Sequence, residues 1–326
     1  FVSTALAKGH TRVSTSYSRD GGAGLFPTAR LDCPTSQCSA SGVRSRRQSI
    51  GPIVVMGAVL RSSHPVPTFA VTLLSLLLAI AFGVAPAQAV VVVVAVFLNQ
   101  IAIGLSNDIV DVERDRRAGR TDKPLVAGAI PRTTAWAVVI TATTLSIALS
   151  VSINPKVGLW QVVFLISGFA YNAGLKATVF SAVPYATGFA ALPALVSLSA
   201  KPPELPAWWV MLVGAILGVS AHFANVLPDG ESDKAEGIRG LPQRLPRVVT
   251  AAALVGLTGV ASALLIWQGG FASIWVTIPV GVAAVFVSIV AAVLTLRTPL
   301  TLWPFRLSIV AAGLIAVGLL GVLRLT

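Results

Sequence analysis

Long apolar stretches separated by short polar segments dominate the chain from about residue 65 onward. A helix needs about 20 apolar residues to cross a hydrocarbon core of about 30 Å. Stretches of this length lie near residues 66–84, 88–107, 133–152, 157–175, 180–199, 207–227, 248–268, 273–295 and 302–323. The pattern therefore predicts an all-α polytopic membrane bundle of nine transmembrane helices.

The composition agrees with this prediction. Hydrophobic residues make up 55% of the chain and charged residues 11%, and the mean hydropathy of +0.83 excludes an ordinary soluble domain. The lipid bilayer is thus a predicted partner of the chain.

Basic residues predict the orientation, because they cluster on alternate polar segments. The segment before the first predicted span contains Arg44, Arg46, Arg47 and Arg61. The segment after the second span contains Arg114, Arg116, Arg117, Arg120, Lys123 and Arg132, and the segment after the sixth contains Lys234, Arg239, Arg244 and Arg247. By the positive-inside bias the N-terminus and these segments are cytoplasmic. The formal net charge of +12 is explained by this topology, so no nucleic-acid partner is predicted. The localisation expected is a bacterial plasma membrane.

Residues 1–55 differ from the rest, being rich in Ser, Thr, Gly and Arg without a long apolar run. Such a composition is typical of a disordered segment. Because the chain begins with Phe1 and Met56 stands just ahead of the first span, we interpret 1–55 as a misassigned start and 56–326 as the membrane domain. A transit peptide is the alternative. Both cysteines, Cys33 and Cys38, lie in this segment.

Acidic residues are concentrated in two short windows. Nine of the twelve lie there, as Asp108, Asp111, Glu113, Asp115 and Asp122 in the first window and Asp229, Glu231, Asp233 and Glu236 in the second. Like charges at the ends of hydrophobic helices are unfavourable unless cations neutralise them. One such cluster would be read as a solvated helix end, but two with the same pattern favour a cation site.

A constant shift of 118 residues relates the two windows. Six residue types recur at this shift: Asn107 as Asn225, Asp111 as Asp229, Glu113 as Glu231, Asp115 as Asp233, Gly119 as Gly237 and Pro124 as Pro242. Asp108 has the apolar counterpart Val226, so the first window is expected to contribute more to metal binding. The shift covers four predicted helices, which indicates two related four-helix halves followed by a ninth helix.

The spacing of the acids predicts their chemistry. Asn107, Asp111 and Asp115 are four residues apart and stack along one helix face. Oxygen ligands without cysteine favour Mg²⁺, which commonly bridges carboxylates to phosphate oxygens. We therefore expect Mg²⁺ and a diphosphate at this site, with the phosphates reached by Arg120, Lys123, Lys176 and Arg239.

Two motifs give the chain a family resemblance. "NDIVDVERD", residues 107–115, matches the NDxxDxxxD motif of the UbiA family of intramembrane prenyltransferases, and "DGESD", residues 229–233, matches its DxxxD motif. The resemblance extends over nearly all of the chain from Met56. It implies a nine-helix bundle with a cytoplasm-side cavity that binds a polyprenyl diphosphate through Mg²⁺.

The resemblance also implies roles for individual residues. "YNAGLK", residues 171–176, resembles the family's YxxxK element with one additional residue between Tyr171 and Lys176. The implied metal ligands are Asn107, Asp108, Asp111, Asp115, Asp229 and Asp233. The implied catalytic residues are Asp111, Asp115, Asp229, Asp233 and Lys176. The expected substrate-binding residues are Asn107, Arg120, Lys123, Tyr171, Lys176, Asn225 and Arg239.

The expected function is Mg²⁺-dependent transfer of a prenyl group from a polyprenyl diphosphate to a lipophilic acceptor in the membrane. The acceptor stays open between an aromatic quinone precursor and a glycerophosphate-type lipid. Phosphoribosyl transfer to a polyprenyl phosphate is an alternative, and a transporter with paired acidic sites is a second one.

Two histidines have more than one interpretation. His64 precedes the first span in "SSHPVP" and is interpreted as an interfacial cap. His222 lies three residues before Asn225, which places both on nearly the same helix face. A packing role and a role in the acceptor site are both open for His222.

Overall fold

The computed structural model describes residues 52–227, 237–297 and 301–325, and within these ranges every regular element is helical. The helices are α1 Pro52–Ser62, α2 Pro65–Ala81, α3 Pro86–Arg117, α4 Arg132–Ile153, α5 Pro155–Ala173, α6 Val183–Ser197, α7 Trp208–Asn225, α8 Leu241–Arg244, α9 Arg247–Arg297 and α10 Trp303–Leu325. A 3₁₀ turn, Leu175–Ala177, follows α5. The predicted all-α class is confirmed for the described residues. The extension predicted for residues 1–55 lies almost entirely outside them.

Each predicted span falls on a helical segment of the described chain. Among the described helices, five are long and apolar enough to cross a membrane, and a sixth span is added if α1 and α2, which are bent by 77°, form one broken span. The count of nine spans therefore stays a prediction. Large apolar side chains cover the outer surface, with Phe271 92% and Trp275 86% exposed, as expected for helices that face lipid.

Proline and glycine set several helix boundaries. Pro65, Pro86 and Pro155 each stand in the first turn of their helix, where the absent N–H has no intrahelical partner to lose. Glycine also causes the break inside α9, which changes direction at Gly270, whose φ of 60° is non-helical. The sequence thus divides α9 into the two predicted spans 248–268 and 273–295.

The backbone follows the 118-residue shift seen in the sequence. The shift carries Pro65, the first residue of α2, onto Val183, the first residue of α6. It also carries Gly119, with φ 71°, onto Gly237, with φ 82°. Two positive-φ glycines in register are what a duplicated turn requires, so these correspondences support the predicted relation between the halves.

A polar cluster connects α3, α4 and α5 inside the bundle. The Ser146 hydroxyl donates to the Ala95 carbonyl at 2.9 Å. The Gln161 amide donates to the same carbonyl at 3.4 Å and to the Ser146 hydroxyl. All three residues are fully buried. Hydrogen bonds of this kind between membrane helices contribute about 0.6 kcal/mol each on average, and they fix the position of α3 in its neighbours.

Gly104 allows the turn between α1 and α2 to contact α3. A Cβ atom at Gly104 would collide with the backbone oxygen of Ser63, so the two backbones are in contact only because this side chain is absent. His64, the next residue, has a φ of 54°. The close contact brings the His64 side chain to the C-terminal part of α3.

Substitution of Gly104 by alanine should therefore destabilise the protein. We expect a loss of about 1–3 kcal/mol, because the added methyl group meets backbone atoms that cannot move away locally. Gly256→Ala is the matched control, since a Cβ there meets nothing within 4 Å and alanine favours a helix. Thermal unfolding in detergent measures both. Equal melting temperatures for the two variants would contradict the close contact.

Candidate active site

Three buried carboxylates lie on one face of the last turns of α3. Asp108, Asp111 and Asp115 are 3%, 5% and 2% exposed, whereas Glu113, on the opposite face, is exposed. The predicted column of acids therefore faces the protein interior. A buried carboxylate requires a cationic partner, and two lysine partners come from the segments that follow α3 and α5.

Lys123 reaches the column because α3 ends in a tight turn. Gly119, in the left-handed conformation, lets the Arg120 N–H donate to the Asp115 carbonyl at 3.0 Å, which is a Schellman motif. The chain then returns along α3. Lys123 Nζ lies 3.0 Å from Asp108 Oδ1 and 2.8 Å from Asp115 Oδ2, so one ammonium group bridges two carboxylates.

Lys176 reaches the column from the turn after α5. Asn172 fixes this turn on α3, since its amide donates to the Ile103 carbonyl and the Ser106 hydroxyl, both at 2.8 Å. The Lys176 ammonium then donates to both carboxylate oxygens of Asp111, at 2.6 and 2.7 Å, and to Asn107 Oδ1 at 3.2 Å. The lysine predicted from "YNAGLK" is thus brought to the first motif.

The two lysines have opposite pKa shifts. Burial alone would lower the pKa of Lys123, but the charges of Asp108 and Asp115 and the hydrogen bonds to them raise it. Burial lowers the pKa of Lys176, and the charges of Arg114 and Lys123 add to the lowering against the opposing effect of Asp111. The site therefore stabilises the ammonium form of Lys123 more than that of Lys176.

Two further residues of this cluster were not predicted from the sequence. Arg114 Nη2 lies 2.9 Å from Asp111 Oδ2, and its spacing of three from Asp111 is a signal that could have indicated the pair. His64 Nε2 lies 3.2 Å from Asp108 Oδ1. His64 does precede α2, but its side chain forms no cap hydrogen bond; it contacts the motif instead, which the sequence spacing gives no means to foresee.

The other predicted site residues have different surroundings. Arg239 is exposed and Arg120 is partly exposed. Asn225 donates to the Tyr185 hydroxyl at 3.2 Å, so it joins an aromatic cluster and not the carboxylate column. Asp229 and Asp233 of the second motif lie outside the described residues.

The aromatic cluster consists of Tyr171, Tyr185 and His222. The ring centroids of Tyr171 and Tyr185 are 5.1 Å apart in an edge-to-face arrangement, and His222 lies 5.6 Å from Tyr171 and 4.7 Å from Tyr185. These distances are typical of favourable ring contacts. Tyr171 precedes Lys176 by five residues, so the aromatic cluster and the lysine come from neighbouring parts of the chain.

The donor set of α3 fits a hard divalent cation. It consists of oxygens only, with three buried carboxylates and the Asn107 amide, as Mg²⁺ prefers. Within the ranges that the structure describes, no three His, Cys, Asp or Glu side chains are arranged to hold a metal ion by themselves, and lysine ammonium groups neutralise the carboxylates instead. The ligand set, which includes Asp229 and Asp233, stays a prediction.

A cavity of about 470 Å³ lies at the other end of the bundle. It is lined by Gln88 near the start of α3, by Asn154 between α4 and α5, and by Lys201 after α6. Gln88 and Asp108 are separated by twenty residues of one helix, or roughly 30 Å. This cavity is therefore distinct from the carboxylate site.

An all-helical bundle with apolar outer surfaces and a buried cluster of acids and lysines at a helix end is the architecture expected of a membrane enzyme. The sequence matches the UbiA prenyltransferase family over residues 54–318, and the chain belongs to this family. The predicted enzyme class, a prenyltransferase, is thereby confirmed, and the family assignment selects the enzyme over the transporter. Comparison with curated proteins gave no significant match.

Solved structures share the fold at low sequence identity. A UbiA homolog from Aeropyrum pernix K1 is 19% identical with a TM-score of 0.65, covering 77% of this chain and 96% of that one. A UbiA homolog from Archaeoglobus fulgidus bound to GPP and Mg²⁺ is 21% identical with a TM-score of 0.64, covering 82% and 99%. A digeranylgeranylglyceryl phosphate synthase is 17% identical with a TM-score of 0.60, covering 83% and 99%. The predicted Mg²⁺ is thus found in a member of the family.

Proposed function

We propose that this chain transfers a prenyl group from a polyprenyl diphosphate to a lipophilic acceptor within the membrane, in a reaction that requires Mg²⁺. The observation that carries the proposal is the contact of Lys123 and Lys176 with Asp108, Asp111 and Asp115. One buried and one half-buried ammonium group beside three buried carboxylates provide both halves of a site for a metal-bound diphosphate. The Archaeoglobus fulgidus homolog bound to GPP and Mg²⁺ supports the same substrates here.

Each group has a distinct task in this reaction. Asn107, Asp108, Asp111 and Asp115 would hold Mg²⁺ together with Asp229 and Asp233 of the second motif. When bound, Mg²⁺ supplies positive charge against the diphosphate oxygens. Lys123 and Lys176 donate hydrogen bonds to phosphate oxygens, and Arg120 and Arg239 are the additional cations that the loops provide.

The chemical step is cleavage of the allylic carbon–oxygen bond. Both electrons of this bond go to the diphosphate, whose growing negative charge the lysines stabilise. The prenyl carbon becomes cationic, the acceptor nucleophile forms a bond to it, and the acceptor then loses a proton. The apolar surroundings exclude water, which would otherwise capture the cation.

Two features support the location proposed for this site. The first is the position of the acids at the ends of apolar helices, where a diphosphate stays near water while its prenyl chain extends between the helices. The second is the excess of basic residues on the loops at this end, including Lys123 and Arg132, which by the positive-inside bias faces the cytoplasm. A bacterial plasma membrane is the proposed setting.

Radiolabelled geranylgeranyl diphosphate tests the proposal with purified protein in nanodiscs and a panel of acceptors. The panel contains 1,4-dihydroxynaphthalene, 4-hydroxybenzoate and a geranylgeranylglyceryl phosphate. We expect a labelled lipid product that disappears with EDTA and returns with Mg²⁺. Conversion that persists in EDTA would contradict the role of the metal.

A second donor separates the alternative reaction. Labelled phosphoribosyl diphosphate is supplied with a polyprenyl phosphate under the same conditions. Product from this pair, without product from geranylgeranyl diphosphate, would replace prenyl transfer by phosphoribosyl transfer. Absence of Mg²⁺-dependent binding of either diphosphate would contradict the site itself.

A further inference from the structure

His222 is a fully buried histidine near the end of α7. Its Nε2 atom lies 3.0 Å from the Ser181 hydroxyl oxygen. The same oxygen accepts a hydrogen bond from the Leu241 N–H at 2.8 Å. Ser181 therefore connects His222 to the segment that leads into α8.

The Ser181 hydroxyl can either donate to His222 Nε2 or accept from it, because an oxygen that accepts from the Leu241 N–H keeps its own hydrogen and a second lone pair. In the neutral imidazole Nδ1 is then a donor in the first case and an acceptor in the second. The Nδ1 atom is buried and has no hydrogen-bond partner among the residues that the structure describes. A buried ring nitrogen without a partner is unfavourable in either form, and it points to a ligand that forms a hydrogen bond with it.

The surroundings of His222 suit a ring-shaped ligand. Tyr171 and Tyr185 contact the imidazole from two directions, and both are partly exposed. Asn225 donates to the Tyr185 hydroxyl and holds that ring in place. These neighbours of His222 contribute polar groups but no formal charge, so they match a neutral ligand better than a carboxylate or phosphate.

We propose that Nδ1 of His222 forms a hydrogen bond with a hydroxyl group of the prenyl acceptor, and that this acceptor is a neutral ring bearing that group. The inference rests on the proposed prenyl transfer, because it names the acceptor side of that same site. Tyr171 connects the two sides along the chain, since α5 is followed directly by the turn that carries Lys176. His222 thereby positions the acceptor ring beside the donor diphosphate.

Two substitutions separate the roles of the two ring nitrogens. Asparagine places an amide near the position of Nδ1, whereas glutamine places one near Nε2 and keeps the contact with Ser181. For His222→Gln we expect the KM for 1,4-dihydroxynaphthalene to rise roughly tenfold, as for loss of one hydrogen bond to a ligand. His222→Asn should recover most of this loss. The KM for geranylgeranyl diphosphate should stay at the wild-type value in both variants.

Several outcomes would overturn the inference. One is a wild-type acceptor KM in His222→Gln, and another is an equal increase in both variants, which a purely structural histidine would produce. A lower KM for 4-hydroxybenzoate or the glycerophosphate lipid than for 1,4-dihydroxynaphthalene would contradict the neutral acceptor. Failure of the wild-type protein to release diphosphate would instead contradict the proposed function.

A measurement on the unaltered side chain covers the case in which neither variant folds. The chain has three histidines, so ¹⁵N-histidine labelling gives a simple spectrum, assigned with His10→Gln and His64→Gln. We expect the Nδ1 resonance of His222 to shift when 1,4-dihydroxynaphthalene is added. A spectrum in which this resonance stays constant at saturating concentration would overturn the inference.

Discussion

Replacement of Asp111 by asparagine is expected to reduce prenyl transfer by about a thousandfold, the upper part of the range for loss of one electrostatic group from an active site. Asp111 accepts from Lys176 with both oxygens and pairs with Arg114. It is also one of the proposed metal ligands. Asparagine keeps the shape of the side chain but removes the charge that positions both cations, and product formation from labelled geranylgeranyl diphosphate measures the loss.

Glu113→Gln is the matched control for Asp111→Asn. Glu113 is on the same turn of α3 but is exposed, and it pairs only with Arg116 among the described side chains. An exposed pair of this kind contributes about 0–1 kcal/mol, so activity should stay near the wild-type value. Because removal of one partner from a buried ion pair costs about 3–5 kcal/mol, the melting temperature of Asp111→Asn must be measured too. A folded Asp111→Asn with wild-type activity would contradict the site.

The sequence predicts most of the fold because the bilayer imposes a simple rule on it. Each predicted apolar stretch of about 20 residues coincides with a helical segment, since lipid leaves no other way to satisfy the backbone of a single span. The structure adds what periodicity does not contain. The break at His64 and the contact of Gly104 with Ser63 depend on the packing of three helices.

The sequence likewise predicts one part of the candidate site and not the other. Spacing along one helix predicts that Asn107, Asp111 and Asp115 share a face, and the structure places the carboxylates on a buried face. Contacts between elements that are distant in the sequence cannot be predicted from spacing. Lys123 returns to Asp108 and Asp115 only because of the turn at Gly119, and Lys176 reaches Asp111 only because Asn172 binds α3.

His222 illustrates the limit of the sequence most clearly. The spacing from Asn225 left a packing role and an acceptor role open. The structure supplies a partner for Nε2 in Ser181 and none, among the described residues, for Nδ1. The choice between the two roles thus depends on a residue 41 positions away in the chain, which no local pattern relates to it.

Lys176→Met is expected to change two measurements in opposite directions. Prenyl transfer should fall by about a hundredfold to a thousandfold, because the leaving diphosphate loses a buried cation. The affinity for a divalent cation in the absence of diphosphate should rise roughly tenfold. The reason for the rise is that the Lys176 ammonium donates to both oxygens of Asp111 and therefore competes with the metal for this carboxylate.

Mn²⁺ binding measured by electron paramagnetic resonance detects the second effect without any turnover. Arg114 remains beside Asp111 in Lys176→Met, so the carboxylate keeps one partner and the variant should fold. Lys156→Met is the control, since Lys156 is exposed at the opposite end of the bundle, where α5 begins. It should change neither measurement.

The direction of the Mn²⁺ effect distinguishes two ways in which Lys176 can act. If the lysine only binds phosphate, its removal lowers activity and leaves the metal affinity unchanged. If it also occupies the carboxylates until substrate arrives, its removal raises the metal affinity, and metal and diphosphate must bind together in the wild-type protein. The distances of 2.6 and 2.7 Å from Lys176 to Asp111 favour the second behaviour, because the ammonium group then competes with a metal ion at both oxygens of the carboxylate.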